Sequence, residues 1–211
     1  MACAEGDLED QKDRVRAHYG QWAATYGDPT DDGLFAWVRA REVRLVHEML
    51  DIAGASSVLD AGCGSGVYSK ALHTDGHEVW AVDFAPEMVE RVRGHVTRCQ
   101  QADVEELALG RLFDRVLCVG VLEWVKCGEA AIARLADHVA PGGRLVVLVP
   151  RTGPGGWIYE HQKRKHGLAP HLYSTGAMRH MGEAAGLRYR RHVTPWVHNF
   201  VMSFEAPPVQ L

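Results

Sequence analysis

No apolar run in the 211 residues approaches the roughly 18 needed to cross a bilayer, so a membrane-spanning helix is excluded. The opening MACAEGDLEDQ is acidic and lacks the basic and apolar segments of a secretion signal. A cytoplasmic protein without membrane contact is therefore expected. No two of the five cysteines (Cys3, Cys63, Cys99, Cys118 and Cys127) form a C-x-x-C pair. Their odd number also argues against a disulfide framework or a zinc site, and reduced thiols are expected. Repeats, low-complexity tracts and linkers are missing too, so nothing divides the chain into two domains.

Basic charge is scarce over most of the length. Residues 1–150 hold 15 Lys/Arg against 24 Asp/Glu, whereas residues 151–211 hold 8 against 3. An acidic body is a poor surface for a nucleic-acid backbone, so no nucleic-acid partner is expected. The basic tail suits either an anionic small substrate or plain solvated surface.

What is present is an alternation. Two amphipathic helices are expected over residues 7–26 and 34–50. The first carries Val15, Tyr19, Trp22 and Tyr26 at near-helical spacing. Strands follow at 57–60, 78–83, 97–102, 113–119 and 144–149, separated by helices at 67–75, 86–96 and 129–139. Strands alternating with helices of this kind mean βαβ units and a doubly wound, mostly parallel sheet with helices on both faces. After a Gly/Pro-rich stretch and a polar segment, a helix at 175–185 and strands at 188–193 and 197–204 complete an expected seven strands. One domain over 1–211 is expected: a helical cap (1–50), a ligand-binding core (51–150), a lid-like insert (151–175), and a last helix with two strands (176–211).

The most informative stretch is Val58-Leu59-Asp60-Ala61-Gly62-Cys63-Gly64-Ser65-Gly66. An apolar strand runs into three glycines at alternate positions, and a helix follows. Such positions permit φ > 0 and close approach of a ligand, and the helix start offers free amides to an anion. A tight turn that binds nothing has the same look. A dinucleotide fingerprint requires G-x-G-x-x-G, and neither register provides it: Val67 or Ser69 stands at the third place.

These residues, with those that follow, resemble class I S-adenosylmethionine-dependent methyltransferases of the small-molecule type. Glu78–Asp83 is similar to the family's second strand, ending in the acid that binds both ribose hydroxyls. Phe84-Ala85-Pro86-Glu87-Met88 resembles the helix start beyond it, with Phe84 able to pack against the adenine. Asp103-Val104 resembles the third motif, which implies Asp103 on the adenine amino group and the Val104 amide on a ring nitrogen. Phe113–Val119 and Val121–Val125 look like the fourth strand and its turn, and Ala140–Leu145 like the entry to strand five. The resemblance thus implies S-adenosyl-L-methionine as cofactor. Its site would comprise Asp60, Gly62, Cys63, Gly64, Gly66, Asp83, Phe84, Met88, Asp103, Val104 and Val119, with Tyr26 reaching in from the end of the first helix. Many relatives have His where Trp124 stands, so no role of that His carries over.

Acceptor contacts are expected from three segments outside the carboxyl ends of the strands. The first helix offers Tyr19 and Trp22, in an opening that resembles Y-x-x-W-A-x-x-Y of several small-molecule methyltransferases. The turn after strand four offers Gly120, Glu123 and Trp124. The insert offers Trp157, Tyr159, Lys163 and Arg164, with His161, His166 and His171 as candidate bases. The plainer alternative for the insert is a surface helix with a solvated Lys-Arg-Lys face. His161 and His166, five residues apart, are a poor helical match for shared metal ligation, and no metal is expected. The chain has no D/N-P-P-Y motif and no Pro-Cys pair. A small-molecule acceptor is expected, with oxygen slightly favoured and nitrogen or carbon as the alternatives. A non-catalytic cofactor-binding protein and a nicotinamide-dependent oxidoreductase are the competing classes.

Overall fold

A computed structural model of the chain describes residues 8–21 and 34–208. Seven strands form one sheet: β1 (Ser57–Ala61), β2 (Glu78–Asp83), β3 (Arg98–Gln101), β4 (Phe113–Val119), β5 (Val139–Pro150), β6 (Arg188–Trp196) and β7 (Asn199–Glu205). Their order is β3-β2-β1-β4-β5-β7-β6. Neighbours among the first five pair in parallel, and β7 runs antiparallel to both β5 and β6. The central strands carry unbroken apolar runs because helices cover both faces. Leu145–Val149 and Phe200–Phe204 are buried throughout. On one face α2 (Leu34–Leu50) lays Val46, Met49 and Leu50 against Leu117, Val146 and Val201. The other face receives α5 (Gly128–Ala136), through Ala131, Ile132 and Leu135, and α7 (Thr175–Ala184), through Met178. α7 lies so close to the sheet that a Cβ at Gly182 would stand 2.2 Å from the Phe204 ring.

Two boundaries differ most from the sequence expectation, each for a local reason. α4 (Pro86–Val92) stops four residues early because Arg93 turns extended and Gly94 takes φ 77°. β5 starts at Val139 rather than Arg144, since Val139 already pairs with Phe113 ahead of a register shift around Asp114. The polar segment of the insert is helical, as its plainer reading allowed. It holds the eleven-residue α6 (Pro154–Arg164), started by a proline in its first turn.

The two remaining helices, α1 (Leu8–Gln21) and α3 (Val67–Thr74), complete the set relevant to the site. The strand order reverses between β1 and β4, whose following loops diverge and leave a crevice above the carboxyl ends of the sheet.

Candidate active site

The loop after β1 is pinned to the next strand. The N–H groups of Gly62 and Cys63 both donate to the Val82 carbonyl, at 2.7 and 2.9 Å. Gly62 has φ 85°, and a Cβ there would stand 2.1 Å from Val121 Cγ2. At Gly66 (φ 82°), the N-cap of α3, it would stand 2.4 Å from Val92 Cγ1. Two of the three glycines are therefore demanded by the protein's own packing. Gly64 lies between them and donates its N–H to Asp83 Oδ2 at 2.9 Å.

Asp83 ends β2 and is 7% exposed. Its Oδ1 accepts from the Ala85 N–H at 2.9 Å. Burial pushes its pKa up, against the pull of the Ala85, Gly64 and Phe84 amides. A carboxylate oxygen has two acceptor positions, so both oxygens keep capacity for further donors. Asp103 follows β3. Its Oδ1 accepts from the Glu105 N–H at 3.0 Å, and its Oδ2 accepts from Lys12 Nζ at 2.5 Å. Lys12 also pairs with Glu105, which ties α1 to the rim.

Gly62, Cys63, Gly64, Asp83, Phe84, Met88, Asp103, Val104 and Val119 line a single cleft with a cavity of about 280 Å³. Asp60 and Gly66 lie outside its lining. Asp60 sits below the loop, 1% exposed, accepting a hydrogen bond from Ser69 Oγ, with burial lifting its pKa to about 7.

The cleft continues past Val121 to a second region walled by Tyr19, Glu123, Trp124, Tyr159, His198 and Asn199. Glu123 is 4% exposed in the short 3-10 turn (Leu122–Trp124) after β4. Burial raises its pKa to about 7, with Lys163 and the Tyr159 hydroxyl pulling the other way. Tyr159 donates to Glu123 Oε1 at 3.4 Å, while Glu123 Oε2 is buried without a hydrogen-bond partner. The Tyr159 ring stacks on His198 with centroids 5.5 Å apart. Glu42 of α2 accepts from Asn199 Nδ2 at 2.5 Å, and Arg39 joins Glu42 in the lining.

Of the expected acceptor residues, Tyr19, Gly120, Glu123, Trp124 and Tyr159 reach the cleft. Lys163 stands behind that wall. Its Nζ lies 5.5, 5.9 and 5.6 Å from the ring centroids of Tyr19, Trp124 and Tyr159, and 3.4 Å from the Tyr19 hydroxyl. Trp157 and Arg164 are corrections. Trp157 is 60% exposed, and Arg164 pairs with Glu160 on the outer face of α6. The three histidines proposed as bases, His161, His166 and His171, are also exposed and outside the cleft. α6 turns Tyr159 and Lys163, four residues apart, toward the site, which leaves His161 facing away. Trp22 and Tyr26 lie outside the described residues.

Sequence reasoning passed over Lys12, Arg39, Glu42, His198 and Asn199, and took Glu123 as an acceptor contact but not as a base. A signal existed for Lys12, which shares a helix face with Val15 and Tyr19 at spacings of three and four. None existed for Asn199, which is brought in by the β6–β7 hairpin. Among the described residues, no three His, Cys, Asp or Glu side chains are placed to hold a metal.

A methyltransferase-domain family model matches residues 35–192. The chain belongs to that family. Its strand order and cleft place it among the class I, S-adenosylmethionine-dependent members. Over 117 residues the chain is 41% identical to a ubiquinone biosynthesis O-methyltransferase of Xanthomonas oryzae pv. oryzae, covering 52% of this chain and 48% of that protein. The chain thus spans about half the length of the curated relatives it matches. The fold resembles that of magnesium protoporphyrin IX methyltransferase from Synechocystis with bound S-adenosylhomocysteine. There the TM-score is 0.72 at 19% identity, over 92% of this chain and 99% of that one. A cyclase shares the fold as well, with TM-score 0.73 at 14% identity over 99% of each chain. The fold alone therefore does not fix the reaction.

The residues present fit this family's methyl donor. Asp83 offers a buried carboxylate with spare acceptor capacity, Phe84, Met88 and Val104 offer an apolar slot, and the Cys63–Ser65 backbone edges the same cavity.

Proposed function

We propose that the protein transfers a methyl group from S-adenosylmethionine to a hydroxyl of a small acceptor, with Glu123 as the base. One observation carries this reading: a carboxylate at the far end of the cofactor cleft, nearly inaccessible, with one oxygen unpartnered and its pKa lifted to about 7. A carboxylate at its usual pKa is a weak base, whereas one titrating near neutrality suits proton removal at neutral pH. The 41% identical relative, an O-methyltransferase by name, supports the oxygen acceptor.

In this reading Asp83 accepts from the two ribose hydroxyls, and Phe84 and Met88 pack on the adenine. Asp103 and the Val104 amide address the edge of that ring, and the Gly62–Ser65 loop holds the amino-acid end. Bound S-adenosylmethionine supplies an electrophilic methyl group whose sulfonium charge is lost on transfer. Glu123 would take the proton of the acceptor hydroxyl. Tyr19, Trp124 and Tyr159 exclude water and hold the acceptor in line. Orientation of this kind supplies on the order of 7–11 kcal/mol in well-aligned systems, and a positioned base a further 10²–10⁴-fold, roughly. Lys163 does not line the cleft; it acts through Glu123, favouring the carboxylate over the acid. The four described cysteines are unpaired, which supports a reducing, cytoplasmic setting.

The test is transfer of labelled methyl from S-adenosylmethionine to a panel of phenols, hydroxy acids and amines. Label on hydroxyl acceptors, with Glu123→Gln losing at least about 10²-fold in kcat while binding S-adenosylhomocysteine as the wild type does, is the expected outcome. Label on amines alone, or an unimpaired Glu123→Gln enzyme, contradicts the reading.

A further inference from the structure

Three residues that line the cleft each carry a buried polar atom with no hydrogen-bond partner among the described residues: Glu123 Oε2, Trp124 Nε1 and Asn199 Oδ1. The first two are neighbours in the turn after β4. Asn199 stands apart, at the start of β7, where it pairs with Pro150 at the end of β5 and with Trp196 of β6. A buried acceptor left unmatched is costly to the fold. Proton removal gives Glu123 a reason to be kept so; it gives Asn199 none.

The orientation of this amide is set by α2. Its Nδ2 donates to Glu42 Oε1 at 2.5 Å, and an ionised carboxylate can only accept. The amide oxygen is therefore the atom turned away from α2, and at 3% exposure the side chain cannot present it to bulk water. The preceding residue, His198, also lines the cleft, and burial lowers its pKa, which leaves the ring neutral at pH 7. A neutral imidazole has one donor and one acceptor. An amide oxygen beside such a ring matches an uncharged O–H or N–H group.

β5 lies between β4 and β7, so two strand spacings, roughly 9–10 Å, separate the turn that carries Glu123 from the start of β7. Tyr159 fills part of that interval, its hydroxyl on Glu123 and its ring stacked on His198. Two O–H···O bonds of about 2.7–2.8 Å each leave the width of roughly one ring between the bonded groups. A donor adjacent to the reacting hydroxyl would not reach across. We propose that Asn199 is a specificity-determining residue, its Oδ1 holding a second O–H or N–H group on the side of the acceptor remote from the methylated oxygen. The proposal rests on the reading of the cleft beyond Val121 as the acceptor region.

Binding of three isomeric diphenols to the protein with S-adenosylhomocysteine, followed by ligand-detected NMR, tests it without turnover. Hydroquinone, resorcinol and catechol are each compared with their monomethyl ether, which lacks the second donor. Wild-type protein is expected to prefer hydroquinone or resorcinol over its ether by about five-fold or more. Asn199→Ala should bring that ratio below two, while the catechol pair should not respond to the substitution. Asn199→Ser, whose hydroxyl is too short to reach, serves the same comparison if the alanine variant fails to fold. Three results overturn the proposal: no binding of any diphenol, a preference that survives both substitutions, or a dependence on Asn199 confined to catechol. Failed methyl transfer with the Asn199-dependent preference intact would count against Glu123 as the base and in favour of this contact.

Discussion

Glu123 is costly to keep as an anion. Its pKa, lifted from 4.5 to about 7 by burial, means that the folded protein binds this proton more tightly than the unfolded chain does. Its contribution to stability is fully present below pH 4.5 and is lost as pH rises through 7. Glu123→Gln, which never ionises, is therefore expected to be more stable than wild type at pH 8 by up to about 3 kcal/mol. The gain should vanish near pH 4, as thermal melts across that range will show. A Tm difference independent of pH would mean that Glu123 is not buried as an ionisable group. The kcat/KM profile should rise with pH through about 7, and Lys163→Met should move that limb upward by removing the cation that favours the carboxylate. Asp83→Ala should weaken S-adenosylhomocysteine binding about 10–150-fold, the loss of charge-assisted hydrogen bonds worth about 1.5–3 kcal/mol, measurable by calorimetry. Asp83 was legible in the sequence because it ends a local strand signal. Glu123 was legible as an acceptor contact but not as a base, because its environment comes from Tyr159 and Lys163, some 40 residues away and on another helix.

At the level of elements, the loop after β1 and helix α1 make separable demands. Gly62→Ala puts a methyl group within 2.1 Å of Val121 at a φ that favours glycine. A loss of at least about 2 kcal/mol is expected, or roughly 4–8 °C in Tm. A variant that melts with wild type would show that the loop yields freely. α1 is held by Lys12 on Asp103 and Glu105. Lys12→Ala should cost about 1–2 kcal/mol of local stability, read as roughly 5–30-fold faster amide exchange in α1 with little change in the sheet. Periodicity located most elements to within a residue or two. It overran α4, where an extended Arg93 and a left-handed Gly94 interrupt an apolar pattern that continues to Val96. It gave α6 no bounds, only a surface-helix alternative for the insert, because Pro154 marks its start but its face mixes Trp157 and Ile158 with charges.

For the molecule as a whole, the alternation of strands and helices fixed a parallel core. The antiparallel β7 between β5 and β6 comes from a short hairpin that cannot make a crossover. The strand order sets the crevice between β1 and β4, and most of the cofactor residues expected from the sequence line it because they lie at or just beyond the ends of strands in that parallel core. The acceptor region was less legible, since it draws on α1, α2, α6 and the last hairpin, which only tertiary folding brings together. The most direct test of the central claim is a crystal structure of the protein with S-adenosylhomocysteine. The account expects the ribose hydroxyls on Asp83, the adenine between Phe84, Met88 and Val104, and the sulfur facing the space beside Glu123. A ligand bound elsewhere, or one whose sulfur faces away from Glu123, would contradict it.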